Sequence, residues 1–212
     1  MSAETTIDPM ELAALVSSRI CHDIISPVGA IVNGLEVLAE EQDGAMREHA
    51  MDLIRKSATQ ASAKLQFARL AFGSAGSAGA SIDLGDAEAV SRALLDPEKH
   101  TLEWSGPRAA MPKDKVKLLL NMVTMAIGTL PRGGKISLTI TGEVERPSFE
   151  LRCSGEKAKI SDRLRDALTG AGGLDAHSIQ PFFASRLSDA AGMALEASMD
   201  GESVVLKAAP HN

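Results

Sequence analysis

Apolar residues recur every three or four positions along the first third of the chain, and polar residues fill the positions between them. This spacing is typical of one face of an α-helix. One series covers residues 12–38 and a second covers residues 46–72, with a short polar connection at residues 40–44 that ends in a glycine. The pattern predicts an antiparallel helical hairpin over residues 1–72, whose first helix is about 45 Å long.

Each predicted helix carries a wider apolar face than its neighbour in the hairpin can cover. A second copy of the chain is the simplest way to hide the remaining apolar side chains, because two hairpins then form a four-helix bundle. We therefore expect a homodimer. The alternative is that the rest of the chain covers the hairpin.

A tract of small residues follows the hairpin. Residues 73–81 consist of Gly, Ser and Ala only, which is the composition of a flexible linker and offers no large side chain to a core. We therefore divide the chain into a hairpin over residues 1–72, a linker over residues 73–81 and a second domain over residues 82–212.

The second domain mixes helical and strand patterns. Alternating apolar and polar residues predict a β-hairpin, with one strand at residues 135–141 and the other at residues 148–154. Helical patterns lie at residues 84–95, 112–129, 161–169 and 178–191, and further strands are expected at residues 101–105, 194–198 and 203–208. The economical arrangement is an α+β sandwich, with helices on one face of a mixed sheet.

Composition limits the kinds of partner and the cellular compartment that we expect for this protein. The 212 residues carry a net charge of −6 and only 3% aromatic residues, which argues against nucleic acid. Cys21 and Cys153 lie far apart and show no metal-binding spacing. The most apolar run, residues 118–130, is too short to cross a bilayer. We expect a cytoplasmic protein with no membrane partner.

One histidine lies on the polar side of the first predicted helix. At about 100° per residue, counted from Leu12, the apolar positions from Ile20 to Leu38 fall at about 80–160°, and His22 falls at about 280°. The residues on its side are small or short: Ser18, Ser26, Gly29 and Asn33. A macromolecule can therefore approach the ring, although an exposed histidine is most often inert.

Two neighbours distinguish His22 from an ordinary surface histidine. Asp23 can hold the imidazole in one tautomer or take its proton. Pro27 removes the hydrogen bond to the Asp23 carbonyl, which ordinarily costs about 3 kcal/mol inside a helix. A residue that disfavours the local secondary structure, next to a candidate nucleophile, is typical of a functional site. The alternative is a helix that simply bends at Pro27.

These residues resemble a known motif. The segment from His22 to Pro27 is similar to the H-box of dimeric sensor histidine kinases, in which an acidic residue follows the phosphoaccepting histidine and a proline lies five residues after it. Residues 118–134 resemble the kinase N-box, where two asparagines four positions apart reach magnesium and phosphate. Asn121 matches the first, but Met125 takes the second position, and a thioether is a poor ligand for magnesium.

The later ATP-binding motifs of that family are also altered. The family places an aspartate before glycines after the second hairpin strand, whereas this chain has Cys153, Gly155 and Lys157 in that stretch. The glycine-rich segment before the last helix is replaced by residues 179–183, which are bulky. The second domain therefore resembles a histidine-kinase ATPase-like domain without its nucleotide site. The alternative is an α+β domain whose likeness is accidental.

The whole chain resembles the histidine phosphotransferases of bacterial multistep phosphorelays, and in particular the ChpT family. This resemblance implies that His22 accepts a phosphoryl group from the aspartate of one receiver domain, such as that of a hybrid histidine kinase, and passes it to another response regulator. It implies that this chain binds no cofactor and that the receiver supplies Mg²⁺. Asp23 would control the imidazole proton, and the receiver would dock around Arg19, Ile25, Ser26, Gly29 and Asn33. The rivals are an active ATP-dependent histidine kinase and a non-catalytic dimeric scaffold that sequesters receiver domains.

Overall fold

The computed structural model describes residues 7–73, 80–169, 175 and 178–211. Two long helices come first, α1 (Pro9–Glu40) and α2 (Gly44–Ala71). The helices that follow are α3 (Leu84–Leu94), α4 (Lys113–Gly128), α5 (Asp162–Thr169) and α6 (Ile179–Ala190). The strands are β1 (Ser81–Asp83), β2 (His100–Ser105), β3 (Ala110–Pro112), β4 (Gly134–Glu143), β5 (Arg146–Ser154), β6 (Met193–Asp200) and β7 (Ser203–Pro210).

The two long helices pack against each other as the predicted hairpin. Asp8 caps the start of α1, because its side chain accepts a hydrogen bond from the Met10 amide at 2.8 Å. Asp43 caps α2 in the same way. Pro27 and Gly34 are the buried residues of α1. A Cβ atom on Gly34 would lie 2.7 Å from Cγ1 of Ile54, so the two helices approach each other closely at this glycine.

The strip of α1 that contacts α2 is not the centre of the apolar face that the periodicity predicts. Val28 and Leu35, which the periodicity places toward the core, are exposed, and Leu35 retains 53% of its accessible surface. Small and compact residues such as Gly34 allow the closest approach of two helices, so the contact follows them. Periodicity locates an apolar face, but it does not decide which strip of that face meets the neighbouring helix.

The second part of the chain contains a five-stranded sheet in the order β2-β4-β5-β7-β6. Strands β2 and β4 are parallel, and the other neighbouring pairs are antiparallel. In the predicted β-hairpin, Ile136 pairs with Cys153, and Leu138 pairs with Leu151. These four side chains are buried. Helices α4 and α6 pack on the sheet, so the predicted α+β sandwich is confirmed.

A second, two-stranded sheet was not predicted. Strands β1 and β3 are three residues long, which is too short to show an alternating pattern, and Ser81 pairs with Pro112. Pro112 is the N-cap of α4, one position before the first turn in which the sequence placed it. Most of the predicted linker, residues 74–79, lies outside the described residues.

The hairpin is joined to the second part of the chain at one end. Phe67 and Ala71 of α2 belong to the main hydrophobic core that α4 and the sheet form. Near the start of α1, Leu12, Leu15 and Val16 pack against a smaller cluster centred on Phe182 of α6. The second part of the chain therefore covers the first turns of α1, as the alternative arrangement required, but it leaves Leu35 and its neighbours exposed.

Within the described residues, α1 is also long and apolar enough to cross a membrane by length and composition. In this structure α1 packs along α2 and carries the ion pair between Arg19 and Asp23. The apolar run at residues 118–130 lies in and just after α4, whose side chains are largely buried beneath the sheet.

Candidate functional site

His22 lies on the outer surface of α1. Its side chain is 63% exposed, which agrees with its predicted position on the polar side of the helix. The flanking residue Cys21 is also exposed. The imidazole is therefore accessible to a partner that approaches the exposed surface of α1.

Asp23 is oriented by a neighbouring arginine. Its Oδ2 atom accepts a hydrogen bond from Nε of Arg19 at 3.0 Å, one helical turn earlier. The distance from Nδ1 of His22 to Oδ1 of Asp23 is 3.8 Å, which exceeds hydrogen-bond length. Control of the imidazole proton by Asp23 stays a prediction.

The carbonyl group of Asp23 has a partner from the other helix. Pro27 lies inside α1 and cannot donate to this carbonyl, as the sequence predicts. Lys64 of α2 donates to it instead, with 2.9 Å between Nζ and the carbonyl oxygen. Sequence reasoning did not identify Lys64. The available signal was the unpaired carbonyl, but the sequence alone does not show which α2 side chain reaches it.

The residues predicted to dock a receiver form one exposed area around His22, with one exception. Ile25 is 70% exposed, and Ser26, Gly29 and Asn33 are exposed as well. A Cβ atom on Gly29 would meet no atom within 4 Å, so packing within this chain does not require glycine there. Arg19 is different, because its side chain is 21% exposed and is paired with Asp23. The docking role of these five residues stays a prediction.

In the segment that resembles the N-box, Met125 lines a small cavity together with Thr124 and Ile127, and Asn121 makes hydrogen bonds within the chain. Asn121 and Met125 are both buried. The Asn121 amide donates from Nδ2 to the carbonyl of Lys117 at 2.8 Å and to the carbonyl of Ala71 at 3.3 Å. The Asn121 side of α4 is therefore packed against the end of α2.

The other altered motifs also have structural roles in the core. Cys153 is buried, and burial raises the pKa of its thiol to about 11, against the opposing effect of a hydrogen bond involving Thr129. A Cβ atom on Gly155 would lie 2.4 Å from the carbonyl oxygen of Gly133, so this glycine is required for close backbone packing. Phe183 contacts Phe72 of the hairpin, with 5.5 Å between ring centroids.

The remaining histidines are not grouped into a site. His49 and His211 are exposed, and His177 lies outside the described residues. Both ring nitrogens of His100 are buried without a hydrogen-bond partner. Within the part of the chain that the structure describes, no three or more His, Cys, Asp and Glu side chains are placed to hold a metal ion.

Comparison with known proteins agrees with the fold and with the sequence motifs. Residues 84–203 match the family described as histidine phosphotransferase C-terminal domain. The chain belongs to the histidine phosphotransferase family, and the predicted relationship is confirmed. It is 45% identical over 211 residues to the protein phosphotransferase ChpT of Brucella abortus (strain 2308), a match that covers 98% of this chain and 100% of that protein.

Solved structures also resemble the chain. The 1.7 Å structure of a bacterial phosphotransferase is 43% identical, with a TM-score of 0.89 over 98% of this chain and 100% of that one. A structure of full-length ShkA in complex with AMPPNP is 17% identical, with a TM-score of 0.48 over 96% of this chain and 46% of that chain.

Proposed function

We propose that this histidine phosphotransferase accepts its phosphoryl group on His22 from the aspartyl phosphate of one receiver domain and passes it to the aspartate of another response regulator. The observation that carries this assignment is the exposure of His22 on a helix whose opposite side is packed. The fit of residues 22–27 to the H-box and the ion pair between Arg19 and Asp23 support it. Receiver domains of this kind act in the cytoplasm, which is where we place the protein.

In the proposed transfer, a ring nitrogen of His22 attacks the phosphorus of the aspartyl phosphate. A nitrogen–phosphorus bond forms as the oxygen–phosphorus bond breaks, and the aspartate of the receiver leaves as a carboxylate. The ring becomes positively charged until it loses the proton on its other nitrogen. The Asp23 carboxylate, 3.8 Å from Nδ1, stabilises that charge, so Nε2 is the attacking nitrogen. The reverse sequence delivers the phosphoryl group to the second receiver.

This chemistry needs positioning and charge neutralisation more than it needs a metal on this chain. Phosphoryl transfer passes through a loose transition state, which is stabilised by in-line geometry and by nearby positive charge. We propose that the receiver supplies Mg²⁺ together with its aspartate. His22 and the exposed surface around Ile25, Ser26, Gly29 and Asn33 would supply the acceptor and the docking area.

We also propose that the protein works without ATP. Three observations support this assignment: Asn121 donates to main-chain carbonyls, Met125 is buried, and Gly155 packs against Gly133. Asn121 and Gly155 are thus committed to contacts within the chain. The phosphoryl group would then come from a receiver.

A homodimer completes the proposal. Val28, Val32 and Leu35 are all exposed, and their spacing of four and three residues is that of a helix packed in a bundle. On α2, Met46 and Leu53 are exposed and lie seven positions apart. Because a second hairpin would cover these side chains, we propose a four-helix bundle formed by two chains.

The test of the transfer step is to incubate the protein with a receiver domain that has been phosphorylated by acetyl phosphate. We expect an acid-labile, alkali-stable phosphohistidine on the unchanged protein and none on His22→Ala. His49→Ala, which changes another exposed histidine, is the matched control and should be labelled normally. Asp23→Asn should slow the transfer without abolishing it. Normal labelling of His22→Ala would show that the phosphoryl acceptor lies elsewhere.

A further inference from the structure

Pro27 interrupts the main-chain hydrogen bonds of α1 close to His22. In a regular α-helix, the N–H group of residue 27 would donate to the carbonyl oxygen of Asp23, but proline has no N–H group. Pro27 is one of the buried residues of α1, on the side that faces α2. The Asp23 carbonyl therefore needs a donor from outside its own helix.

Lys64 is that donor. Its Nζ atom lies 2.9 Å from the carbonyl oxygen of Asp23, although the two residues are 41 positions apart in sequence. A bond from a charged ammonium group is stronger than one from a neutral amide. The hydrogen bond also joins α2 to α1 at the level of the exposed histidine, since His22 directly precedes Asp23.

Asp23 is thus held at two points. Arg19 donates to its carboxylate at 3.0 Å, and Lys64 donates to its carbonyl oxygen at 2.9 Å. The direction of the His22 side chain depends on the backbone at residues 22 and 23. If the Asp23 carbonyl had no partner, α1 would be free to open at Pro27, and the imidazole would change direction.

We propose that Lys64 is a positioning residue for phosphoryl transfer. Its ammonium group takes the place of the missing Pro27 N–H group and fixes the backbone that aims the imidazole. This inference rests on the proposed function, because it takes His22 as the acceptor. In-line transfer depends steeply on geometry, so a misdirected ring lowers the maximal rate while receiver docking on the surrounding surface persists.

The proline itself provides the test, because Pro27→Ala restores an N–H group to the helix. We would compare Lys64→Met with and without Pro27→Ala, and use Lys56→Met, which changes an exposed lysine of α2, as the control. The measurement is the rate of His22 phosphorylation at increasing concentrations of a receiver domain phosphorylated by acetyl phosphate. Lys64→Met should lower the maximal rate by about tenfold or more and leave the half-saturating concentration within about threefold.

In the Pro27→Ala background, the same lysine substitution should change the maximal rate by less than about threefold, because the restored amide satisfies the carbonyl. The role of Lys64 would be overturned if Lys64→Met lost the full rate both with and without Pro27→Ala. An unchanged rate in Lys64→Met alone would overturn it as well. Lys56→Met should behave as the unchanged protein.

Two further measurements keep the outcome unambiguous. If the circular dichroism signal shows that Lys64→Met does not fold, Lys64→Arg is used in its place. The ¹³C resonance of the Asp23 carbonyl should then shift in Lys64→Arg and not in Lys56→Met. An unshifted resonance counts against the proposal. His22→Ala is measured in parallel. If His22→Ala is still labelled, the proposed function itself is refuted. If His22→Ala is not labelled but Lys64→Met transfers at the normal rate, only the role of Lys64 is refuted.

Discussion

The side-chain amide of Asn121 donates a hydrogen bond to the carbonyl oxygen of Ala71, across 3.3 Å and 50 positions of sequence. Ala71 is the last residue of α2, where helix carbonyls have no partner within the helix. The contact therefore satisfies the end of the hairpin and joins it to α4. Asn121, at the position that resembles the first asparagine of the N-box, thus helps to hold the two parts of the chain together.

We expect Asn121→Ala to destabilise the fold. The substitution leaves the buried Ala71 carbonyl without its partner, which costs about 1–3 kcal/mol. The free energy of unfolding in urea measures this loss. Asn33→Ala, which changes an exposed asparagine of α1, should stay within about 0.5 kcal/mol of the unchanged protein. Equal stability of both variants would show that the contact to Ala71 contributes little.

Replacing either of two glycines of α1 by alanine should change the free energy of unfolding, in opposite directions at the two positions. At Gly34 a Cβ atom would lie 2.7 Å from Cγ1 of Ile54 and 3.2 Å from the Ala50 carbonyl oxygen, so Gly34→Ala must move α2. We expect a net loss of about 1 kcal/mol or more, because overpacking outweighs the gain in helix propensity. In Gly29→Ala the new Cβ atom meets no other atom, so the free energy of unfolding should rise by about 0.5–1 kcal/mol. Urea unfolding of the pair measures both.

The exposed apolar residues of α1 should control assembly. Light scattering at micromolar concentration is expected to give the mass of two chains for the unchanged protein. Leu35→Glu places a charge among Val28, Val32 and their neighbours, and it should give monomers, since a buried unpaired charge is strongly unfavourable. Glu36→Lys, which changes the neighbouring exposed position, is the control and should remain dimeric. A monomeric unchanged protein would contradict the proposed bundle.

Nucleotide binding should be absent at physiological concentrations. Isothermal titration of the full chain with Mg-ATP is expected to show no saturable heat in the micromolar range, because the Asn121 and Met125 side chains are buried in contacts within the chain. Incubation with labelled ATP should leave His22 unphosphorylated. Saturable binding or labelling from ATP would instead support an active histidine kinase.

The two cysteines should differ in reactivity. Burial raises the pKa of the Cys153 thiol to about 11, so this thiol stays protonated at pH 8, whereas Cys21 is exposed. Because the thiolate is the reactive form, an aromatic disulfide reagent at pH 8 should modify one thiol in the folded protein and two in urea. Cys21→Ser should abolish the reaction of the folded form. Rapid modification of Cys153 in that variant would contradict its burial.

Local periodicity in the sequence was enough to predict several features of the fold. The three- and four-residue spacing predicted α1 and α2, and the alternation of Ile136, Leu138 and Ile140 predicted β4 with its core-facing side. The same arithmetic placed His22 on the outer surface of α1. These features could be read from the chain because a side chain's direction on a helix or strand follows from its position number alone.

Other features depend on which helices and strands meet in the folded chain. Strands β1 and β3 are too short to carry a pattern, and they exist because each pairs with the other. The burial of Met125 and the exposure of Leu35 depend on how α2 and α6 pack, which no local pattern encodes. The bond from Lys64 to Asp23 spans 41 residues, and only the hairpin brings the ammonium group to the carbonyl that Pro27 leaves without a donor.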